Sequence, residues 1–154
     1  MKKLLDTRWP GCGRGYGVEG QVMKYREGYK YQLAENYTIQ TPIKATVAHE
    51  YFTLAKSGKL RIKKGYAWDG ASGPTLDTKD SMSPSLVHDV FCQAMRLELL
   101  SYNDWQNQVN EFFREHLKAC GMGSFRAWYW YRAVEFADAG RPDGNDPDPI
   151  LEAP

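Results

Sequence analysis

The hydrophobic period of this chain changes partway along it, and that change constrains the fold more than any other feature. Between residues 20 and 68 apolar and polar residues tend to alternate, the two-residue repeat of a half-buried strand. From Ser83 to Gly140 apolar residues recur every three or four positions, the repeat of an amphipathic helix. A strand pattern followed by a helix pattern, with no interleaving, predicts an α+β fold: an N-terminal antiparallel β-sheet of hairpins packed against a C-terminal bundle of about three helices. Within the first half, residues 21–25, 29–33, 37–40, 51–55 and 59–63 read as strands. Lys56-Ser57-Gly58 joins the last two as a hairpin, with Gly58 supplying the positive φ that a short turn needs. Leu60 and Ile62 point to one face of that strand, and Lys59, Arg61 and Lys63 to the other. The basic row reads first as protection of a sheet face or edge and second as an anion-binding strip.

In the helical half, Ser83 is expected to cap a first helix with Pro84 at its first position. Leu86, Val87, Val90, Phe91, Ala94 and Met95 form its apolar face. Ser101 and Asp104 resemble a capping box that opens a second helix, with a stripe through Trp105, Val109, Phe112, Phe113, His116, Leu117 and Cys120. Gly121 or Gly123 ends it, and Ser124 precedes a third, strongly aromatic helix that Gly140 stops. Residues 1–19 read as a Gly-rich irregular arm, 20–140 as a single α+β domain and 141–154 as a disordered tail rich in Pro, Asp and Gly. The alternating glycines at 11, 13, 15 and 17 do not make a phosphate loop, because no Gly-Lys-Ser/Thr follows them.

Composition narrows the function classes. The chain has 154 residues and a formal net charge of +1, so an overall basic nucleic-acid footprint is absent. The cysteines Cys12, Cys92 and Cys120 have no paired spacing and read as reduced thiols. No apolar run reaches the roughly 20 residues of a membrane helix, and the start lacks the apolar stretch of a signal peptide. The expected setting is therefore cytoplasmic, without a membrane partner.

The candidate chemistry lies in Gly65-Tyr66-Ala67-Trp68-Asp69-Gly70-Ala71-Ser72 and in Leu86-Val87-His88-Asp89. Asp69 falls at a strand end before a glycine, at the start of a long connection running to Ser83, and such connections are often functional. His88 falls on the border of the apolar face near Cys92 and Met95, whereas Asp89 points towards Gln93 and Arg96. A histidine at a core edge reached by a carboxylate suits a general base or a metal ligand. It equally suits a structural pin joining the loop to the helix, and both readings stay open. Asp69, His88 and Asp89 are the candidate ligands for one divalent metal ion, and the same three with Ser72 are the candidate catalytic residues. No cofactor-binding residue stands out. His49 and Asp104 could complete a metal phosphohydrolase set, but His49 lies in the β half, unlike the all-helical enzymes of that type. No zinc spacing occurs. Ser72 reads as a loop cap before it reads as a nucleophile, and His116, inside an apolar stripe, as a packed core histidine.

These two segments, followed by a helix ending at Leu117 and Gly121 and then Arg126-Ala127-Trp128, resemble the DUF1353 family, small proteins of unknown function from phages, prophages and bacteria. The resemblance covers about residues 50–136 and implies that Asp69, Ser72, His88 and Asp89 are signature polar positions. It also implies an acidic residue in the second helix where this chain carries Asn110, a departure that removes one carboxylate from any metal set. A phage setting would place the protein in host cytoplasm.

Three functions follow as expectations. The first is a hydrolase, metal-dependent or not, acting on a phosphate- or amide-containing substrate. In it Asp69, His88 and Asp89 activate water or hold the ion, and Ser72 with the amides near Gly70 and Gly73 holds an oxyanion. The second is a non-catalytic module that sequesters a nucleotide signal or blocks a host protein. There Tyr66, Trp68 and Trp130 would stack on a base, and Lys63, Lys64 or Arg96 would meet phosphates. The third is a virion or assembly component. Its partners accordingly range over a small molecule or nucleotide, a host protein and further copies of the chain.

Overall fold

The computed structural model describes residues 25–26, 31–68 and 78–142. Among the described residues seven short strands precede three helices, as the change of period predicts. The strands are β1 (Tyr25–Arg26), β2 (Tyr31–Leu33), β3 (Tyr37–Gln40), β4 (Val47–Ala48), β5 (Phe52–Leu54), β6 (Lys59–Ile62) and β7 (Ala67–Trp68). They form two antiparallel sheets, one ordered β1-β2-β7 and the other β3-β6-β5-β4. The predicted hairpin is β5–β6, with Phe52 opposite Ile62 and Leu54 opposite Leu60. Gly58 holds φ +90°, and a Cβ there would overlap the Thr41 carbonyl oxygen, so two independent constraints require glycine. Alternation on β6 is as expected: Leu60 and Ile62 are buried, and Lys59 and Arg61 face solvent.

The helices are α1 (Lys79–Arg96), α2 (Tyr102–Ala119) and α3 (Ser124–Ala137). α1 starts earlier than its sequence signals suggest. Thr78 is the N-cap residue, its N–H donating to Ser81 Oγ (3.1 Å) while the Ser81 N–H donates to the Thr78 carbonyl (2.9 Å). Ser83 and Pro84 therefore lie inside the helix. The Ser83 hydroxyl is spent elsewhere: it bonds Tyr37 OH at 2.7 Å and His116 Nε2 at 3.2 Å, in the core. A Ser–Pro pair marks a helix start only when the serine hydroxyl is free to cap. α2 begins as predicted, with Ser101 Oγ accepting from the Asp104 N–H at 3.4 Å, and Gly121 at φ +102° follows it. α3 stops at Asp138 in the left-handed region (φ 48°), before Gly140.

The main core lies between the strands, α1 and the first part of α2, around Ile39, Phe52, Leu60, Leu86, Phe91 and Met95. A second, smaller cluster of Phe113, Leu117, Met122, Ala127 and Trp130 lies between α2 and α3. Cys92 is a free buried thiol, but Cys120 is disulfide-bonded, which corrects the expectation of three reduced cysteines. Pairing depends on spatial approach of the two Cβ atoms, and sequence spacing did not encode it here. Among the described residues no helix is long and apolar enough to cross a membrane. The expected arm (1–19) and most of the expected tail (from 143) lie outside the described residues.

Candidate functional site

β7 and the residue before it are fastened along α1 at two points. The Tyr66 hydroxyl donates to Gln93 Oε1 at 2.8 Å, and the Trp68 indole N–H donates to Ser85 Oγ at 3.2 Å. Ser85, Asp89 and Gln93 are four residues apart, so they share one row of α1, with Asp89 between the two anchors. Asp89 is half-buried there. Its charge, together with burial, which is the larger cause, raises the pKa values of Tyr66 and Cys92, so both stay protonated. The chain leaves β7 opposite Ser85 and re-enters the described structure at Thr78. Asp69 and Ser72 fall in between, outside the described residues.

His88 faces the other way, into the helical bundle. It is buried, with Nε2 at 2.9 Å from Asn110 Oδ1 on α2 and its ring 4.8 Å from that of Phe113. An amide oxygen only accepts, so Nε2 carries the proton and Nδ1 keeps its lone pair. The Cys92 sulfur lies 3.6 Å from Nδ1, with its S–H as the donor. Burial pushes the His88 pKa down, and the Asn110 bond offsets part of that. The result is a neutral imidazole of fixed tautomer beside a protonated thiol. That pair is not an activated Cys–His dyad, because the thiolate needed for attack is suppressed.

From His88 a chain of ring contacts leads to the head of α1. Phe113 lies 6.4 Å from Trp130, and the Arg126 guanidinium sits over Trp130 at 5.8 Å. Arg126 Nη2 donates to Thr78 Oγ1 at 3.1 Å, and its Nη1 lies 3.8 Å from Asp80 Oδ2. Thr78 Oγ1 also donates to Asp80 Oδ1. With 41% of its side chain exposed, Arg126 remains accessible at the end of the segment that begins with Asp69. It belongs to the Arg-Ala-Trp stretch quoted for the family resemblance, yet composition and spacing offered no hint that it would join α3 to the α1 N-terminus. Cys92 was named only as a neighbour of His88 and Asn110 only as a departure from the family pattern; that both meet the His88 ring nitrogens follows from the fold.

The other singled-out residues find structural work. His116 is fully buried, stacked 5.3 Å from Phe112, and burial lowers its pKa to about 3, as a packed core histidine requires. His49 Nδ1 accepts the Tyr51 N–H at 3.2 Å, and its ring stacks on Phe52 at 4.4 Å. Tyr66, Trp68 and Trp130 are buried, so the expectation that they stack on a nucleotide base is corrected. Arg96 is tied to the Ala139 carbonyl at 2.7 Å. Among the described residues no three His, Cys, Asp or Glu side chains come together as metal ligands. A cleft of about 460 Å³ beside Met95, Glu98, Leu100 and Arg141 contains neither His88 nor Asp89. The same is true of one of about 380 Å³ over Thr38, Thr53, Arg61 and Lys63.

The model of the family described as a protein of unknown function (DUF1353) matches residues 45–134, more than half of the chain. No curated protein and no solved structure matches.

Proposed function

We propose, from the premise that this chain belongs to the DUF1353 family, that it is a small hydrolase for a phosphate- or amide-containing substrate, working at the head of α1, the helix that follows residues 69–77 in the sequence. The observation that carries this reading is Arg126: a half-exposed guanidinium held by Thr78 and Asp80 at the end of that glycine-containing segment. Such a group receives an anionic oxygen in planar, two-point fashion. The helix N-terminus beside it favours the same charge. In this reading Arg126 binds substrate, Asp69 and Asp89 are the carboxylates that activate water, and Ser72 with neighbouring amides holds developing negative charge. His88 takes part as a neutral imidazole oriented by Asn110. A divalent ion, if used, would call on Asp69 and Asp89, and His88, which faces α2 with both ring nitrogens engaged, could join them only by giving up the Cys92 contact at Nδ1.

One specific observation favours the second reading, a non-catalytic binding module. His88 and Cys92 are enclosed and both nitrogens of His88 are engaged, which suits a pin better than a proton shuttle. The phage-type setting stays part of both proposals.

The test is a hydrolase screen over phosphomonoesters, phosphodiesters and peptide amides, run with elemental analysis of the purified protein. Arg126→Lys, Asp69→Asn and Asp89→Asn are expected to lose activity by at least tenfold while melting within a few degrees of wild type. Wild type inactive on every class, yet retaining a ligand that Arg126→Lys releases, would replace the hydrolase with the binding module.

A further inference from the structure

A helix that is apolar around its whole circumference is normally enclosed on all sides. α3 is apolar on two opposite faces and enclosed on one. Ala127, Trp130 and Val134 face the small core shared with α2. Phe125, Trp128, Tyr129 and Phe136 are exposed, Phe125 at 79% and Phe136 at 95% of their full areas. At 100° per residue these four and Arg132 fall within roughly a third of the circumference, opposite the core face. Isolated exposed apolar residues need no explanation, but a contiguous aromatic stripe does. The stripe is also organised: the rings of Phe125 and Trp128 pack on each other at 5.9 Å.

We propose that α3 is the two-fold interface of a homodimer, packing antiparallel against α3 of a second copy through Phe125, Trp128, Tyr129 and Phe136. Three observations select a second copy as the occupant. The first is spacing. Residues 125, 129, 132 and 136 follow one another at intervals of four, three and four, a pattern that reads the same in both directions. An antiparallel two-fold axis between positions 130 and 131 therefore sets Phe125 against Phe136 of the second copy and Arg132 against its Tyr129. The interface is self-complementary, as an isologous contact must be. The cation–ring pair gives the arginine a function within an aromatic stripe.

The second is charge. Arg132 on this face is already balanced by Glu135, their Nη1 and Oε2 atoms 2.9 Å apart. Arg126, on the flank, is directed towards Thr78 and Asp80 at the head of α1 and not over the aromatic stripe. A nucleic-acid or anionic lipid surface would call for uncompensated cations around the aromatics, and this face does not offer them. The third is area. At ~200 Å² for a whole aromatic side chain, the four rings expose roughly 500–600 Å² per copy, most of the ~800 Å² per partner of a stable interface. The flanks of α3 supply the remainder.

Sedimentation equilibrium of the full chain tests this, with Phe136→Glu and Arg132→Ala alongside wild type. Wild type is expected to be a dimer at micromolar concentration. Phe136→Glu places two carboxylates in the interface and is expected to weaken it by about a hundredfold or more, with unchanged circular dichroism. Arg132→Ala is expected to weaken it by a smaller factor. Pairing direction is read from disulfide trapping: Phe125→Cys mixed with Phe136→Cys should cross-link, and neither should cross-link by itself. A wild type that is monomeric overturns the proposal. So does a monomer in which Phe136→Cys resists a maleimide, because one of the chain's own terminal segments then covers the face. A dimer indifferent to Phe136→Glu overturns it as well, and self-cross-linking at 125 would refute the antiparallel arrangement.

Discussion

α1 and α3 treat their side chains in opposite ways. Thirteen of the eighteen residues of α1 are buried, including Ser81, Ser83, Ser85 and His88, whereas α3, with six aromatic residues, buries only Ala127 and Trp130. Neighbours explain the difference. α1 has the strands on one side, through Tyr37, Tyr66 and Trp68, and α2 on the other. α3 packs on α2, and its opposite face meets solvent. The polar groups drawn into the interior find partners: Ser83 with Tyr37, Ser85 with Trp68, His88 with Asn110. Burying them without those bonds would cost free energy at each site. The aromatics left outside are the counterpart case, and their missing partner is sought outside the chain. Residue type sets what each position needs, and place in the fold decides whether the need is met internally.

The contrast can be broken at four points. Phe91→Ala in α1 should produce the largest effect, destabilising the protein by about 3–5 kcal/mol in urea unfolding, because a fully enclosed ring leaves a cavity. A loss below about 1 kcal/mol would mean that α1 is not the centre of the core. Acid comes next. The folded-state pKa of His116 is about 3 against an ordinary value of 6.5, so the unfolded chain takes up a proton that the folded chain refuses. Stability is then full above pH 6.5 and declines as pH falls towards 3, by about 2 kcal/mol at pH 5 from this residue. His88, lowered in the same direction, adds to the slope. Unfolding free energies that stay flat from neutrality to pH 5 would contradict the enclosure of both rings.

Asn110→Ala should cost about 1–3 kcal/mol by stranding the buried His88 Nε2–H. Asn110→Asp should recover part of that loss and raise the His88 pKa, read by the chemical shift of its ring protons. An unmoved His88 titration would show that the bond does not set the tautomer. The smallest effect on folding is expected for Phe136→Ala, under about 0.5 kcal/mol in a monomer-reporting assay, since the ring lies in solvent within one copy. A large loss there would assign α3 a second role inside the fold.

Much of this architecture could be read along the chain because it depends on local rules. The β5–β6 turn was visible in Gly58, the start of α2 in Ser101 and Asp104, and the core face of α1 in Leu86, Val90 and Phe91. The start of α1 was misjudged because Ser83 looks like a cap in isolation and is a buried hydrogen-bonding partner in the fold. The candidate site was legible only in outline. His88 and Asp89 were found on α1, but they look in different directions, one towards α2 and one along the row that holds β7. Arg126, on which the proposed site rests, has neighbours 46 to 48 positions away in the chain.

By itself the sequence determined the order of strands before helices, the faces that each would bury, most of their ends and the family to which the chain belongs, because periodicity, capping and turn chemistry act within a few residues. Tertiary structure alone decided which buried polar groups pair, that burial keeps His88 neutral while Asn110 orients its ring, that Arg126 closes on the head of α1 and that one face of α3 is left bare. Those outcomes depend on distance in space between residues remote along the chain, and desolvation and hydrogen bonding respond to that distance alone.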